Sequence, residues 1–376
     1  MTGLDPHTWM RHAARLAIRG HGGAEPNPMV GCIIVTGDEI IGSGYHRRCG
    51  GTHAEIEAIT AAGDAATGAT MYVTLEPCNH TGRTGPCALA LIDAGIAHVI
   101  IGQRDPNPVG AGGIETLTDH GIDVTLLKDE ASAAVIRPFR HCLTARRPWV
   151  IAKWAETRDG FLTTPAGESP WISTGASQRL VHRQRGRVDA IITGIGTVLA
   201  DDPLLTPRCR HPRRIPVRVV LDTHLRTPLD SQLVMTATTI PVVIYCQDDA
   251  PLERVLPLQS AGVTVVPIAS TDSHVDLHHV LNDLAQTRGV TTSLLEAGPR
   301  LLTAFFDQGL VSETLVFTAP ALRHPAGGSP PCPGRDTPGL RENTLITLGQ
   351  WRRDGDTVTN SLVAPLPTPG STIPLV

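Results

Sequence analysis

The feature that most constrains this chain is a run of metal-binding and apolar residues between positions 53 and 87. It begins H-A-E-I-E-A-I, directly after Thr52, and ends V-T-L-E-P-C-N-H-T-G-R-T-G-P-C. His53, Cys78 and Cys87 can supply three ligands of a tetrahedral zinc site and leave its fourth position open to water. Bound zinc lowers the pKa of such a water towards neutrality, so that a nucleophile forms at physiological pH. The fold must therefore bring three ligands from separate elements to one point.

Glu55 follows the histidine by two residues, where its carboxylate is placed to move protons rather than to bind metal. H-x-E followed by P-C and a second cysteine is the arrangement of zinc-dependent base deaminases. Thr52 and Glu55 also form a capping box, which predicts a helix through residue 59 with His53 and Glu55 in its first turn. Taken alone, those two residues are explained equally well by the cap.

The two cysteines are predicted on the elements that follow. A short apolar strand covers 71–75, and Cys78 would open the next turn, where unpaired backbone amides favour a thiolate. Pro86 and Cys87 begin a second helix that stops at Gly95. A buried free cysteine is usually only a small hydrophobe. The cysteines are nine positions apart, so the insert between them loops out, and His80 within it is a less favoured ligand.

Length, composition and net charge limit the kinds of protein that this chain can be. At 376 residues, with 41% hydrophobic and 3% aromatic content, the chain suits two globular domains with aliphatic cores. A net charge of −4 gives no basic stripe for nucleic acid, and the eight cysteines are too scattered for a disulfide framework. Neither a signal peptide nor a membrane span is recognisable. These features predict a cytoplasmic enzyme that binds neither nucleic acid nor membrane.

The element pattern predicts two domains, 1–145 and 146–376, joined near T-A-R-R-P. Strands alternating with helices predict a three-layer α/β arrangement for the first domain. Two prolines hold Asn27 in an extended loop before strand 30–35, where its amide can read a base edge, although a turn asparagine is slightly favoured on spacing alone. After the joint, strands are predicted at 149–154, 188–194, 218–221, 241–245, 263–268, 292–297, 313–318 and 358–363, and helices at 275–287 and 300–308.

Over nearly its full length the chain resembles the bifunctional deaminase–reductase family of riboflavin biosynthesis. The first half matches through P-N-P-x-V-G, G-x-x-H-A-E, the wide-spaced cysteine motif and D-P-N-P. The second half matches through G-E-S-x-W-I, T-V-L-A-D-D-P-x-L-T-x-R and E-A-G-P. The resemblance implies a cytidine-deaminase-like three-layer α/β domain followed by a dihydrofolate-reductase-like α/β domain.

Two reactions on one phosphorylated pyrimidine are implied by the resemblance. The first half would use zinc and Glu55 to hydrolyse the exocyclic amine of 2,5-diamino-6-ribosylamino-4(3H)-pyrimidinone 5′-phosphate, and the second would use NADPH to reduce the ribosyl group to ribityl. Implied substrate contacts are Asn27, Lys153, Ser169, Arg185, Leu205, Arg208 and Glu296. Implied cofactor contacts are Glu156, Trp171, Thr197, Asp201, Thr223, Gly298, Pro299, Arg300, Leu301, Leu302, Thr303 and Ala304. A homo-oligomer is expected.

Charge also favours Arg185 and Arg208 as contacts of the 5′-phosphate, because a guanidinium fork suits that group. The ordinary interpretation is that they are surface arginines without a ligand.

The chain departs from the family at W-A-E-T-R-D-G, where Glu156 and Arg158 place charge near the expected nicotinamide. They could form a salt bridge, point outward, or mark a reductase half with altered or lost activity.

A structural zinc site on a scaffold is disfavoured because such sites have four ligands. A nucleic-acid deaminase is disfavoured by the net charge.

Overall fold

The computed structural model describes residues 4–81, 85–157, 175–268, 270–271, 274–319, 345–353 and 356–363. Two compact units make up the chain, residues 1–146 and 147–376, next to the boundary that the sequence predicts at residue 145. Among the helices of the described ranges, none has the length and apolar composition needed to span a bilayer.

The first unit is built around one five-stranded sheet. Its elements are α1 Pro6–Ala17, β1 Gly31–Thr36, β2 Glu39–Tyr45, α2 Ala54–Ala62, β3 Thr70–Val73, α3 Cys87–Asp93, β4 His98–Ile101, α4 Gly113–Asp119, β5 Asp123–Leu126 and α5 Glu130–Ala145. The sheet order is β2-β1-β3-β4-β5. β1 is antiparallel to β2 and β3, whereas β3, β4 and β5 are parallel.

Both faces of this sheet are covered, which gives three layers. Side chains alternate across a strand, so Ile33 and Val35 pack with α1 on one face while Cys32 and Ile34 join α2 and α3 on the other. Helix α2 lies close to β2 because Gly44 has no side chain, and a Cβ there would collide with the Ala54 carbonyl. This close packing fixes the start of α2, where the predicted metal ligand His53 lies.

The second unit contains a nine-stranded sheet and a two-stranded ribbon. Its elements are β6 Trp149–Thr157, α6 Gly175–Arg185, β7 Ala190–Gly194, α7 Ile195–Asp201, β8 Val217–Leu221, α8 Gln232–Met235, β9 Val242–Gln247, α9 Leu252–Ser260, β10 Thr264–Ile268, β11 Ser270–Thr271, β12 His274–Val275, α10 Leu277–Gln286, β13 Thr292–Leu295, α11 Pro299–Asp307, β14 Glu313–Ala319, β15 Leu345–Arg353 and β16 Asp356–Val363. The order of the large sheet is β10-β9-β8-β7-β13-β6-β14-β16-β15.

The strands from β10 to β14 in that order are parallel, and β16 and β15 close the sheet in antiparallel fashion. Hydrophobic clusters cover both faces, one containing Trp154 and Phe306 and the other containing Ile151 and Phe317. The carboxyl ends of parallel strands meet at one edge of the sheet, the usual place for ligands in open α/β folds. Among the predicted site residues, Thr197, Thr223 and Glu296 come shortly after the ends of β7, β8 and β13.

Several elements were not predicted from the sequence. In the first unit α4, β5 and α5 were missed. In the second unit the four helices from α6 to α9 and the β11–β12 ribbon were missed, and so was β15, which lies in a tail interpreted mainly as loop. β15 is held by its ladder to β16, which the structure extends over Asp356–Val363. Whether such a segment forms a strand depends more on its pairing partner than on its own residues. The local sequence pattern therefore gives little signal for it.

Candidate active sites

Three elements bring His53, Cys78 and Cys87 together in the first unit. His53 is the N-cap of α2, Cys78 lies in the loop after β3, and Cys87 is the first residue of α3. His53 Nδ1 lies 3.2 Å from Cys87 Sγ and 3.5 Å from Cys78 Sγ, and the three ligand atoms all lie within 4.8 Å of one another. Tetrahedral zinc–sulfur and zinc–nitrogen bonds place neighbouring ligand atoms roughly 3.5 Å apart. The donor set and its spacing therefore fit zinc.

The predicted capping box is wrong in its detail. Helix α2 starts at Ala54 with His53 as N-cap, and no side chain makes the capping hydrogen bond. The imidazole instead points to the two sulfurs. Thr52 offers its carbonyl oxygen, rather than its hydroxyl, to the ring of His46. Ligand geometry has replaced the local cap that the sequence favoured.

The two sulfurs have different acidities. The backbone N–H of Cys87, at the start of α3, donates to Cys78 Sγ over 3.4 Å. A hydrogen bond from the Cys87 thiol, with help from His53 and that amide, lowers the pKa of Cys78 to about 4. The same thiol–thiol hydrogen bond and burial raise the pKa of Cys87. The amide that favours a thiolate at Cys78 thus comes from the helix of Cys87, not from a turn that Cys78 itself opens.

Glu55 lies buried beside this group, with 4% of its surface exposed. Burial raises its pKa to about 7, and its carboxyl group shares a hydrogen bond with Cys87. A carboxyl group that titrates near neutrality can both accept and release a proton at physiological pH. His80 lies outside the cluster that His53, Cys78 and Cys87 form among the described residues.

His46, which the sequence analysis missed, links the predicted Asn27 to this site. Its Nδ1 lies 3.1 Å from the Thr52 carbonyl oxygen, so Nδ1 carries the proton and Nε2 can accept from Asn27 Nδ2 at 3.4 Å. Its ring meets the edge of His53 at a centroid distance of 5.3 Å. The sequence signal that could have pointed to His46 is its position directly after Tyr45, the last residue of β2, and seven residues before His53.

Glu76 explains how the D-P-N-P loop is held near the cysteines. This buried carboxylate accepts from the amides of Gly112 and Ile114 through Oε1 and from the amide of Asp105 through Oε2, at 3.1–3.2 Å. It lies two residues before Cys78. One side chain therefore joins the strand that leads to Cys78 to the loop beside it.

In the second unit, three predicted substrate residues form one charged cluster. Arg185 Nε and NH2 donate to Glu296 Oε1 and Oε2 over 2.6 and 2.9 Å. Lys153 Nζ lies 3.9 Å from Glu296 Oε2. Despite burial, the cations lower the pKa of Glu296, and burial lowers that of Lys153. All three side chains are largely buried, so the cluster is a fixed feature of the site.

The loop of residues 204–208 carries two further predicted substrate contacts. Leu205 has a left-handed backbone (φ 49°), and its side chain is buried in the hydrophobic core. Any contact it makes with a ligand would therefore involve its backbone. Arg208 is exposed, and within the described part of the chain no hydrogen bond or ion pair engages its guanidinium. Of the two arginines, Arg208 is the one that offers its donors to a ligand.

Two uncapped helix starts mark the predicted cofactor side. Gly194 is the N-cap of α7, which carries Thr197, and Gly298 is the N-cap of α11; neither helix start has a side-chain cap. A Cβ on Gly194 would lie 3.3 Å from Leu301 Cδ2, so the two starts are neighbours. Free amides at such starts favour phosphate.

The remaining predicted cofactor contacts differ in exposure. Thr223 follows β8 at the same edge of the sheet and is half-buried. Of the others, Asp201 and Arg300 are exposed, Pro299, Thr303 and Ala304 are half-buried, and Leu302 is buried in the core. Ser169 and Trp171, as well as Arg158, lie outside the described residues.

Glu156, the departure near the expected nicotinamide, is buried and hydrogen-bonded. Its Oε2 accepts from Trp154 Nε1 over 3.0 Å, and its Oε1 accepts from Thr318 Oγ1 over 3.3 Å. Strand alternation places Glu156 with Trp154, on the sheet face opposite Lys153. Trp154 packs against Phe306 of α11, so Glu156 shares the face that carries the predicted cofactor helix.

Comparisons with known proteins agree with this geometry. The model of the cytidine and deoxycytidylate deaminase zinc-binding region matches residues 5–103, and that of the RibD C-terminal domain matches residues 148–358. The riboflavin biosynthesis protein RibD of Actinobacillus pleuropneumoniae is 42% identical over 326 residues, 86% of this chain and 85% of that protein. The RibD of Escherichia coli K12 is 38% identical, covering 85% of this chain and 89% of that protein.

A solved structure supports the same assignment over the whole chain. A diaminohydroxyphosphoribosylaminopyrimidine deaminase/5-amino-6-(5-phosphoribosylamino)uracil reductase from Thermotoga maritima has a TM-score of 0.81 at 30% identity, covering 96% of this chain and 99% of that one. The predicted fold classes and family are confirmed, and no comparison favours a reductase half with altered or lost activity. The chain belongs to the RibD family of riboflavin biosynthesis proteins, as a bifunctional enzyme with a zinc-binding deaminase half and a reductase half.

Proposed function

We propose that the first unit releases ammonia from 2,5-diamino-6-ribosylamino-4(3H)-pyrimidinone 5′-phosphate, with His53, Cys78 and Cys87 as zinc ligands and Glu55 as the proton carrier. One observation carries this assignment: a buried carboxyl group with a pKa near 7 lies beside a three-donor group of zinc-binding geometry. When bound, zinc supplies a coordinated water of lowered pKa. Glu55 accepts one proton from the attacking water and passes it to a ring nitrogen, and it then carries the second proton, from the added hydroxyl group, to the amine that leaves as ammonia.

Asn27 recognises the pyrimidine edge in this proposal, and His46 orients it. Because His46 Nδ1 donates to the Thr52 carbonyl, Nε2 accepts from the Asn27 amide NH₂ group. Burial lowers the pKa of His46, which keeps the ring neutral and preserves this arrangement. The carbonyl oxygen of Asn27 is then left to accept from an exocyclic amine of the substrate.

The second unit reduces the deaminated product, 5-amino-6-(5-phosphoribosylamino)uracil, at its ribosyl group. Arg208 binds the 5′-phosphate, because its guanidinium is exposed and unengaged among the described residues. Lys153 and Glu296 contact the ribosyl part from inside the cluster, where Arg185 holds the Glu296 carboxylate in place. Ser169 completes the predicted substrate contacts.

NADPH is the cofactor of this half and supplies the hydride when bound. The uncapped starts of α7 and α11 would hold its phosphates, with Thr197, Asp201, Thr223 and the segment from Gly298 to Ala304 as its contacts. Glu156 lies on the same face, and Trp171 remains a predicted contact. A homo-oligomeric state and a cytoplasmic location likewise remain predictions.

A coupled assay tests the proposal by following ammonia and NADPH oxidation in the same sample. Glu55→Gln should lower ammonia release by about 10²–10⁴-fold while zinc content is unchanged, since an amide cannot carry the proton. NADPH oxidation should persist when the deaminated product is supplied directly. Glu57→Gln is the matched control, because Glu57 lies on the same helix but pairs with Arg47. Full ammonia release by Glu55→Gln would overturn the assignment.

A further inference from the structure

The Leu204–Arg208 loop is fastened by three side chains from outside it. Arg218 NH1 donates to the Leu204 carbonyl and Arg185 NH1 to the Thr206 carbonyl, each over 3.4 Å. The third contact runs the other way: the backbone N–H of Arg208 donates to His182 Nδ1 over 3.3 Å. The loop contains no helix or strand. These contacts therefore hold the backbone of Arg208, from which its side chain extends.

The chemistry of the third contact fixes the state of His182. A backbone N–H can only donate, so Nδ1 must be the acceptor and the ring proton must lie on Nε2. Burial lowers the pKa of His182, and the neighbouring cations Arg185 and Arg208 lower it further, against the opposing effects of the Thr206 carbonyl and Glu296. The ring is therefore neutral at physiological pH.

The ordinary role of a histidine in the last turn of a helix does not fit these observations. His182 lies in the last turn of α6, where a protonated ring would complement the helix dipole. A neutral ring that accepts a hydrogen bond from a separate loop makes no such contribution. Its contact is to the backbone of the residue that we assign to the substrate phosphate.

We propose that His182 is a positioning residue of the reductase site, which holds the backbone of Arg208 so that its guanidinium meets the 5′-phosphate. The inference rests on the phosphate role proposed above for Arg208. Arg208 has a long side chain on a loop, and ordering it on binding costs conformational entropy. Anchoring its backbone before the substrate binds reduces that cost, because the loop is already held by the His182 ring. Arg185 cannot replace it, because its Nε and NH2 are bonded to Glu296.

The experiment uses the full-length protein and measures NADPH oxidation with the deaminated product and with its dephosphorylated form. His182→Leu removes the acceptor, and loss of one hydrogen bond predicts a KM for the phosphorylated substrate about 3- to 10-fold higher, with kcat within about twofold. The KM for the dephosphorylated form should not change. His182→Asn keeps an acceptor near the position of Nδ1 and should restore KM to within about twofold. His211→Leu, an exposed histidine of the same unit, is the matched control.

The double variant His182→Leu/Arg208→Ala should be no worse than Arg208→Ala alone, because the effect passes through Arg208. Additive effects, a fall in kcat, or an equal rise in KM for both substrates would overturn the inference and assign His182 a merely structural role. If Arg208→Ala leaves KM for the phosphorylated substrate unchanged, the phosphate assignment itself fails and this inference fails with it. Should His182→Leu not fold, His182→Gln, whose amide lies near Nε2, provides the same comparison with His182→Asn.

Discussion

Arg185 and Glu296 form a two-bonded ion pair across the carboxyl edge of the reductase sheet, although 111 residues separate them in the chain. The sequence predicted each as a separate substrate contact. The structure makes them one unit, in which the guanidinium fork is engaged by a carboxylate and its remaining NH1 group reaches the Thr206 carbonyl. Because Glu296 engages its fork, Arg185 fits a role in holding neighbouring residues, whereas the Arg208 guanidinium is unengaged among the described residues.

Replacing Arg185 by Lys should impair the reductase although the charge is kept. A lysine cannot make two parallel bonds to one carboxylate, so Glu296 and the Thr206 carbonyl lose their fixed positions. We expect the kcat/KM of NADPH oxidation to fall about 10- to 100-fold, corresponding to a charged hydrogen bond of roughly 1.5–3 kcal/mol. Ammonia release should be unchanged. Arg183→Lys, an exposed neighbour on α6, is the control, and an equal effect of both variants would contradict the prediction.

The stability of the reductase unit should depend on the ionisation of Glu296. Burial opposes its ionisation, but Arg185 and Lys153 lower its folded-state pKa below the usual glutamate range. The resulting stabilisation is present above the unfolded-state pKa of about 4.3 and is lost as pH falls through the lower folded-state value. Glu296→Gln should therefore be less stable than the natural protein at pH 7, with the difference shrinking below about pH 4.

Denaturant unfolding followed by tryptophan fluorescence can measure this difference, because Trp9 alone of the five tryptophans belongs to the first unit. The comparison should be made at several pH values on both proteins. A difference in unfolding free energy that stays constant from pH 7 to pH 3 would show that Glu296 stabilises the fold without its charge.

Loss of one cysteine ligand should remove zinc and ammonia release together. Cys87→Ser replaces a thiolate donor by a hydroxyl, and we expect zinc affinity to fall by more than about 100-fold, since even supporting residues contribute about 10–100-fold. Metal analysis of the purified protein measures zinc content. Cys49→Ser is the control, because Cys49 is an exposed cysteine of the same unit. A zinc-free Cys87→Ser protein with full ammonia release would rule out the metal role.

Glu156 should matter more to stability than to cofactor affinity. Glu156→Ala leaves the Trp154 indole N–H and the Thr318 hydroxyl without their acceptor, and each such loss costs about 1–3 kcal/mol. Glu156→Gln keeps an acceptor oxygen and should unfold nearer to the natural protein. We expect the KM for NADPH in Glu156→Gln to stay within about threefold. A much larger rise would mean that its negative charge acts on the cofactor directly.

The sequence alone predicted the candidate zinc ligands, the candidate proton carrier and the positions of most strands along the chain. The metal chemistry could be predicted because His53, Cys78 and Cys87 are donor types with few other uses at this spacing, and Glu55 is fixed by its distance from His53. The strands could be predicted because apolar runs bounded by turn residues are a local signal.

Tertiary structure alone decided which side chains meet. His46 reaches Asn27 because of how the β2 end and the Asn27 loop converge, and Glu156 finds Thr318 because β6 pairs with β14. The pairing of Arg185 with Glu296 likewise depends on the β7-β13-β6 order. Hydrogen-bond partners more than a hundred residues apart are brought together by strand order, and local sequence pattern carries no record of that order.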